Sequence, residues 1–264
     1  MMAELAVLMA AYNSEDTLPR AVASVLRGPV PLDLHIVDDG SRIPVAEVLD
    51  PVPDNVFIYR LDRNIGLAAA LNHGLEIILA RPYRFVARFD ADDICYPDRF
   101  AVQLDYLAGY PDLQAVGAHA RVIDAESGRA LFTLRHPEHH AEIVRAMRCN
   151  AAFLHPTLLF RAEALRQLDG YNPDFRVAQD FELMWRAVTR FRTGNVPQIV
   201  MDYTWGRGMA TVRHRRGQLL ARLKVQWRHL DPLDPLAWWG IVRSCLLLAI
   251  PVRLLDVLKQ TWKR

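Results

Sequence analysis

The chain has 264 residues, 52% of them hydrophobic, so it can bury a large core and general disorder is excluded. A net charge of +2 excludes a strongly charged polyelectrolyte, and three scattered cysteines without a Cys-x-x-Cys pair indicate neither a disulfide framework nor a zinc knuckle. The apolar run Leu5–Ala11 is too short for a signal peptide, so we expect a cytoplasmic protein.

Short apolar runs alternate with helical patterns over the first ninety residues. Strands are predicted at Leu5–Ala11, Leu32–Val37, Val56–Tyr59 and Phe85–Phe89, and helices between Leu18 and Leu26 and from Leu67 to Leu79. Asn13 or Ser14 is expected to cap the first of these helices. Strands that alternate with helices predict an α/β fold with a doubly wound, mainly parallel sheet and flanking helices.

The second half of the chain has a less regular pattern. It predicts a helix after Pro97, strands around Gln114–Ile123 and Leu131–Leu134, a helix from about Pro137 to Met147, and a helix opened by Gln179 and Asp180. After Trp205 basic residues accumulate and a Trp-rich apolar tail follows. We therefore expect one domain over residues 1–205 and a basic, amphipathic helical extension over residues 206–264.

Three carboxylates lie directly after the fourth predicted strand. Asp90, Asp92 and Asp93 are too close together to share a dry site without a cation or hydrogen-bond donors. Hard carboxylate oxygens suit Mg²⁺ or Mn²⁺, which commonly bind substrate phosphates as well. The motif predicts a metal–diphosphate site, and a solvated acidic turn is the simpler alternative.

Polar residues also follow the first two strands, at Tyr12 and Asn13 and at Asp38 and Asp39. The carboxyl ends of parallel strands meet at one edge of a sheet, where α/β proteins hold their ligands. These residues are therefore expected to converge with the acidic cluster. Asp38 has a structural alternative, which is to cap a turn with Ser41.

Several reaction classes are excluded by missing motifs. The chain contains no Gly-x-x-x-x-Gly-Lys-Ser/Thr loop, no Gly-x-Gly-x-x-Gly turn after the first strand and no Gly-x-Ser-x-Gly elbow. A metal-assisted displacement at a nucleotide diphosphate remains. Such a reaction needs a base for the incoming hydroxyl, and Asp180, off the apolar stripe of its helix, is the best-placed candidate.

Five motifs in order resemble those of the inverting family-two glycosyltransferases of the GT-A fold, over roughly Leu5 to Trp205. They are Ala10-Ala11-Tyr12-Asn13, Val37-Asp38-Asp39-Gly40-Ser41, Arg63-Asn64-x-Gly66 with Asn72, Asp90-Ala91-Asp92-Asp93, and Gly170-Tyr171-Asn172 followed by Gln179-Asp180. The resemblance implies a nucleotide-binding and catalytic GT-A domain. It departs from the family at Gln179, where Glu is usual, and at Asp169, where the turn usually has a second Gly.

The resemblance also implies roles for particular residues. The nucleotide would be bound by Ala11, Tyr12, Glu15, Asp39, Asn64 and Asp92. Asp39 would accept a hydrogen bond from the base, and Asp92 would hold the ribose or share the metal.

The resemblance assigns further residues to metal binding and to catalysis. Asp93 would bind Mn²⁺ or Mg²⁺, and Asp180 would be the catalytic base. His155 stands where some relatives place a histidine near the metal, although a structural role is the more favoured interpretation.

The basic and Trp-rich extension has several interpretations. It could form a solvated helix face, supply Arg207 or Arg213 to the donor diphosphate, or attract an anionic bilayer or lipid phosphate. An interfacial helix anchored by Trp238, Trp239 and Trp262 and docking onto the domain's own core are both open. A nucleic-acid partner is not expected, because the basic residues lack a stacking platform or a known motif.

The sequence thus predicts a metal-dependent inverting transferase that moves a sugar from a nucleotide diphosphate, UDP by the resemblance alone, to a glycan or lipid-linked acceptor of cell-surface polysaccharide. It would be cytoplasmic or peripheral on the inner face of the plasma membrane. Two alternatives are a sugar-phosphate nucleotidylyltransferase and a non-catalytic membrane-surface binding protein. The former needs a Gly-rich loop after the first strand, and residues 10–15 contain no glycine.

Overall fold

Four parallel strands form one half of the sheet in the computed structural model, which describes residues 3–206 and 215–250. They are β1 (Leu5–Ala11), β2 (Leu32–Asp38), β3 (Val56–Arg60) and β4 (Phe85–Arg88), in the order β3-β2-β1-β4. The helices α1 (Leu18–Leu26), α2 (Val45–Val48) and α3 (Leu67–Leu79) lie between them in the chain. Because the four strands are parallel, all of their carboxyl ends lie at one edge of the sheet.

The other half of the sheet mixes strand directions. Its strands are β5 (Ile94–Cys95), β6 (Leu113–Asp124), β7 (Ala130–Leu134), β8 (Leu159–Arg161) and β9 (Arg192–Trp205). From β4 the order continues β8-β6-β9-β5, with β8 antiparallel to both of its neighbours and β9 parallel to β6. The predicted α/β fold with flanking helices is confirmed, and β5, β8 and β9 are additions that the sequence pattern does not predict.

The remaining described helices flank this sheet. They are α4 (Arg99–Gly109), α5 (His140–Met147), α6 (Ala162–Leu168), α7 (Gln179–Arg190), α8 (Arg215–Arg228) and α9 (Pro235–Ala249). Helix α5 begins later than predicted, because the carbonyls of Pro137 and Glu138 accept hydrogen bonds from Asn195 of β9 at 2.7 and 3.0 Å. None of the described helices combines the length and the apolar character needed to cross a membrane. The interpretations that involve Arg207, Arg213 and Trp262 lie outside the described residues.

Two hydrophobic cores lie on opposite faces of the sheet. Side chains of a strand alternate between the faces, and β1 shows this directly, since Ala6 and Leu8 belong to one core and Val7 and Met9 to the other. Gly74 of α3 allows that helix to pack close to the sheet, because a Cβ there would collide with Leu8. Both faces of β1 are therefore buried, which explains its continuous apolar run.

The predicted cap of α1 is wrong. Neither Asn13 nor Ser14 caps the helix, which begins after Thr17. Asn13 has a positive φ of 48°, and its Oδ1 accepts a hydrogen bond from the Arg42 backbone N–H at 2.8 Å. The amide is thus used to join the chain after β1 to the chain after β2.

A buried histidine of β2 should make the fold sensitive to acid. His35 lies between the hydroxyls of Tyr59 and Tyr83, each 3.0 Å from one ring nitrogen. Burial, assisted by the nearby charge of Arg81, lowers the pKa of His35 to about 4. The unfolded chain therefore binds a proton between about pH 6.5 and 4 that the folded chain does not, and stability falls as pH decreases through this range.

We expect this one group to remove about 1.4 kcal/mol of unfolding free energy per pH unit within that window. Urea unfolding of the wild type and of His35→Gln at a series of pH values measures the effect. The unfolding free energy of the variant should change less steeply with pH, by the slope that corresponds to one bound proton. Parallel curves for the two proteins would show that His35 is not responsible.

Candidate active site

The carboxyl ends of β1 and β2 are tied together by hydrogen bonds. The backbone N–H of Asp39 donates to the carbonyl of Ala11 at 2.9 Å, and the backbone N–H of Asn13 donates to Ser41 Oγ at 3.1 Å. Asp38 Oδ1 accepts from the backbone N–H of Ser41 at 2.8 Å. The structural interpretation of Asp38 as a turn cap is confirmed.

Asp39 is buried and organises the loop that follows β3. Its carboxylate accepts hydrogen bonds from Asn64 Nδ2 at 2.9 Å and from the backbone N–H groups of Ile65 at 2.7 Å and Gly66 at 3.0 Å. Both carboxylate oxygens are therefore engaged within the chain. These hydrogen bonds bring Asp39 and Asn64, both assigned to the nucleotide by the resemblance, into direct contact.

The other residues assigned to the nucleotide differ in exposure. Tyr12 is 51% exposed beyond the end of β1, whereas the Ala11 side chain is buried in a core. Glu15 pairs with Arg42 at 2.9 Å. The described structure therefore offers Tyr12 as a free aromatic surface, while Ala11 can contact a ligand only through its backbone.

Removing the Asp39 carboxylate should loosen the loop after β3. We expect Asp39→Ala to lower the unfolding free energy by about 2 kcal/mol, because three donors lose a charged acceptor. Binding of a nucleotide should weaken at the same time. Urea unfolding and nucleotide titration measure both effects, with the exposed Asp62→Ala as the matched control; equal stability of the two variants would refute the role of Asp39.

Asp90, Asp92 and Asp93 form an acidic cluster after β4. One ligand oxygen from each lies within 4.8 Å of the others. Asp93 is fully buried, and its Oδ2 has no hydrogen-bond partner in the described part of the chain. An orphaned carboxylate oxygen beside two further carboxylates fits a divalent cation such as Mg²⁺ or Mn²⁺.

Electrostatics of the cluster point the same way. Burial, together with the charge of Asp90, raises the pKa of Asp92 to about 6. Burial and the charges of Asp90 and Asp92 raise the pKa of Asp93 well above its ordinary range. Burial thus disfavours the ionised form of these carboxyls, and a bound cation would favour it.

Strand β9 supports the cluster from a distant part of the sequence. The backbone N–H of Thr204 donates to Asp93 Oδ1 at 2.8 Å, and Thr204 Oγ1 donates to the carbonyl of Asp92 at 2.6 Å. One residue of β9 thus fixes both the side chain of Asp93 and the backbone of Asp92. The sequence gives no signal for this contact, because β9 is not predicted.

Two buried arginines lie beneath the cluster. Arg88 forms an ion pair with Asp90, and its Nε and Nη1 have no partner among the described residues. Arg99 donates to the Arg88 carbonyl at 2.9 Å and to Gln103 Oε1 at 3.0 Å. Arg88 therefore pairs with the acidic cluster, whereas Arg99 is fully buried and forms no ion pair with a carboxylate of the described residues.

Asp180 lies in the first turn of α7, as predicted. Burial raises the pKa of Tyr203, and the charges of Asp90, Asp93, Asp92 and Asp180 raise it further. Burial also raises the pKa of Tyr171. The charges of Asp180 and Asp90 raise it further, while the charge of Arg88 lowers it. Both tyrosines therefore lie where the fields of Asp180 and of the acidic cluster overlap.

His155 is buried near the same region. Its Nε2 lies 2.8 Å from the hydroxyl of Tyr171, and burial lowers its pKa well below the ordinary value. A neutral ring with this nitrogen engaged favours the structural interpretation. His155 and Asp180 also line one small cavity.

The turn before α7 is clamped from α3. Asn72 Nδ2 donates to the Tyr171 carbonyl at 2.7 Å, and Asn72 Oδ1 accepts from the Tyr171 backbone N–H at 2.8 Å. Gly170, with a φ of 63°, leaves room for this amide. The third and fifth motifs of the resemblance are therefore in direct contact.

Three carboxylates thus lie together after a strand at the carboxyl edge of the sheet, and a buried oxygen of one of them has no partner in the described part of the chain, an arrangement that suits a divalent cation. The family model "Glycosyl transferase family 2" matches residues 6–169, more than half of the chain. The chain belongs to glycosyltransferase family 2 and has the GT-A fold.

Curated relatives match over most of their length. The chain is 29% identical over 254 residues to the amylovoran biosynthesis glycosyltransferase AmsE of Erwinia amylovora, covering 92% of this chain and 91% of the relative. It is 25% identical over 234 residues to an Escherichia coli UDP-Gal:alpha-D-GlcNAc-diphosphoundecaprenol beta-1,3-galactosyltransferase, covering 85% of this chain and 82% of the relative.

Solved structures share the fold at lower identity. S. aureus TarS 1-349 in complex with UDP-GlcNAc superposes with a TM-score of 0.67 at 16% identity, covering 94% of this chain and 71% of that one. The mannosyltransferase PcManGT from Pyrobaculum calidifontis, in complex with GDP-Man and Mn2+, gives a TM-score of 0.66 at 16% identity and covers 100% of this chain and 80% of that one.

Proposed function

We propose that the protein is a metal-dependent inverting glycosyltransferase that moves a sugar from a nucleotide diphosphate to a glycan or lipid-linked acceptor in cell-surface polysaccharide synthesis. The observation that carries the proposal is the acidic cluster, in which oxygens of Asp90, Asp92 and Asp93 lie within 4.8 Å of one another and the buried Asp93 Oδ2 has no partner among the described residues, while Asp180 opens α7. A single displacement needs both features, a base on the acceptor side and a charge sink for the departing diphosphate.

The residues of the chain have separate tasks in this reaction. Asp93 and Asp92 would hold Mn²⁺ or Mg²⁺, which when bound neutralises charge on the leaving diphosphate. Asp180 takes the proton of the acceptor hydroxyl as its oxygen attacks the anomeric carbon. Attack from the face opposite the departing nucleotide inverts the configuration in one step.

The donor would lie along the edge formed by β1, β2 and β3. Tyr12 offers an exposed ring for a base, and Asp39 and Asn64 hold the loop beside it. Contact of Glu15 and the Ala11 backbone with the nucleotide belongs to the same proposal. A UDP-sugar donor is supported by the similarity to the E. coli UDP-Gal-dependent galactosyltransferase and to TarS in complex with UDP-GlcNAc.

The acceptor is proposed from the relatives that build polysaccharides or act on diphosphoundecaprenol-linked sugars. A lipid-linked acceptor places the enzyme at the inner face of the plasma membrane. There the amphipathic extension would lie close to its substrate.

Thermal unfolding with UDP, GDP and the corresponding nucleotide sugars, each with and without Mn²⁺, tests the donor site. A ligand at 100 times its Kd adds about 2.7 kcal/mol to stability. We expect stabilisation by a uridine nucleotide that requires the cation. Stabilisation by guanosine but not uridine nucleotides would show that the donor carries guanine instead of uracil. Absence of a response to any nucleotide would overturn the proposal.

A further inference from the structure

The C-terminal helices α8 and α9 pack on the domain through one face. Gln226 of α8 donates to the Arg148 carbonyl at 2.8 Å and accepts from Ser244 Oγ of α9 at 2.9 Å. A Cβ at Gly240 would collide with the same Arg148 carbonyl, so α9 approaches the end of α5 closely. These contacts fix which face of the helix pair remains outside.

The outer face of the pair is unusually apolar and exposed. Trp227, Trp238 and Trp239 are 64%, 43% and 54% exposed, and Leu220 and Leu246 are each 53% exposed. On α9 the residues Trp238, Val242, Cys245, Leu246 and Ala249 follow helical spacing and so form one stripe. A contiguous apolar surface of this kind marks an interaction site.

The same face is cationic. Arg216 and Arg228 of α8 are exposed, as is Lys224, although its Nζ lies 4.9 Å from the ring of the buried Phe175. A shallow groove between the helices is lined by Lys224, Arg228, Trp227 and Cys245 together with Leu223 and Ile241. The sequences of α8 and α9 contain no acidic residue. Tryptophans beside basic residues match a membrane interface, where rings lie at headgroup level and cations meet anionic lipids.

We propose that the outer face of α8 and α9 binds an anionic lipid bilayer. The occupant is a bilayer rather than a second copy of the chain, because pairing two such faces would bring their uncompensated basic residues together. The biological role of this binding, which is to bring the enzyme to a lipid-linked acceptor, rests on the proposed function.

The opposite side of α8 contacts the helix that carries the candidate base. Arg222 of α8 stacks over the ring of Phe181 at 5.4 Å, and Phe181 follows Asp180 in α7. Helix α8 therefore packs directly against the start of α7.

Vesicle flotation with the full chain tests the proposal without donor, metal or turnover. We expect binding to phosphatidylcholine mixed with phosphatidylglycerol, weaker binding to phosphatidylcholine alone, and loss of the difference at high salt. A triple variant with Trp227→Gln, Trp239→Gln and Leu246→Gln should bind at least about tenfold more weakly. The matched control carries Val52→Gln, Tyr110→Gln and Leu131→Gln on exposed positions elsewhere and should bind as the wild type.

A charge variant keeps the test independent of the apolar substitutions. Arg216→Gln, Lys224→Gln and Arg228→Gln together should abolish the preference for anionic vesicles, whereas Arg20→Gln, Arg129→Gln and Arg145→Gln should not. Equal binding by either test variant and its control would overturn the proposal, as would absence of binding by the wild type. Sedimentation without lipid that reveals a dimer dispersed by the tryptophan variant would assign the face to self-association instead.

Failure of catalysis is distinguishable from failure of binding. Asp180→Asn should bind vesicles as the wild type does. An active enzyme that ignores vesicles would refute the membrane proposal alone, and an inactive enzyme that binds them would leave it standing.

Discussion

Replacement of Asp180 by asparagine should lower kcat by about 10³-fold, because a positioned general base contributes on the order of 10²–10⁴-fold to such a reaction. The amide keeps the size of the side chain and its place in the first turn of α7, but it cannot take a proton. Donor binding should change little, since Asp180 is proposed to act on the acceptor. Initial rates at saturating donor and acceptor, with nucleotide titration, separate the two effects.

Asp174→Asn is the matched control for this variant, because Asp174 is an exposed acid in the turn just before α7. It should retain wild-type kcat. If Asp180→Asn also retained it, another group would have to be the base. A loss of donor affinity as large as the loss of kcat would instead assign Asp180 to the donor.

Replacement of Asp93 by asparagine should lower activity by about 10³-fold and remove stabilisation by Mn²⁺, because it deletes the buried carboxylate oxygen that has no partner in residues 3–206 and 215–250. The metal-free variant should unfold at the same temperature as the wild type or higher. Its neutral amide can still accept from Thr204, and it cannot take on the charge that burial and the neighbouring Asp90 and Asp92 disfavour at this position.

Thermal unfolding with and without Mn²⁺ measures both halves of this expectation. Asp98→Asn, an exposed acid that follows the same loop and makes no side-chain cap to α4, is the control and should respond to Mn²⁺ as the wild type does. Equal Mn²⁺ stabilisation of Asp93→Asn would contradict the metal assignment. A large loss of metal-free stability would show that the Asp93 carboxylate is structural.

Elements with a clear periodic pattern could be predicted from the sequence. Helix α3 and strand β1 have both predicted ends, and β2, β3 and β4 each differ from prediction only at the final residue. Strand β9 was not predictable, because Gly194 and Pro197 interrupt its apolar pattern. Its pairing with β6 shifts register between Ala118 and His119, which no local pattern indicates.

The candidate site divides in the same way. Asp90, Asp92, Asp93 and Asp180 belong to short motifs, so their chemistry could be inferred from neighbouring residues. Thr204 could not, because its hydrogen bonds to the acidic loop join residues more than 100 positions apart, with separations of 111 and 112. Such contacts depend on the order of strands in the sheet.

The side chain of Asp39 illustrates a different limit. The resemblance implies a carboxylate that accepts from a nucleotide base, while the structure shows both of its oxygens accepting from Asn64 and the backbone of Ile65 and Gly66. The contact with a base stays a prediction. A motif identifies a residue as part of a site before it distinguishes contact with the ligand from support of a neighbouring loop.

The bond between Thr204 and the acidic loop has a consequence for shorter versions of the protein. The family match ends at residue 169, so a fragment cut there would retain Asp90, Asp92 and Asp93. It would lose Thr204, and with it the donor that holds Asp93 in place. Such a fragment would contain every proposed metal ligand in its sequence and still lack a preorganised cation site, so sequence-based trimming of this enzyme should keep the chain through at least Trp205.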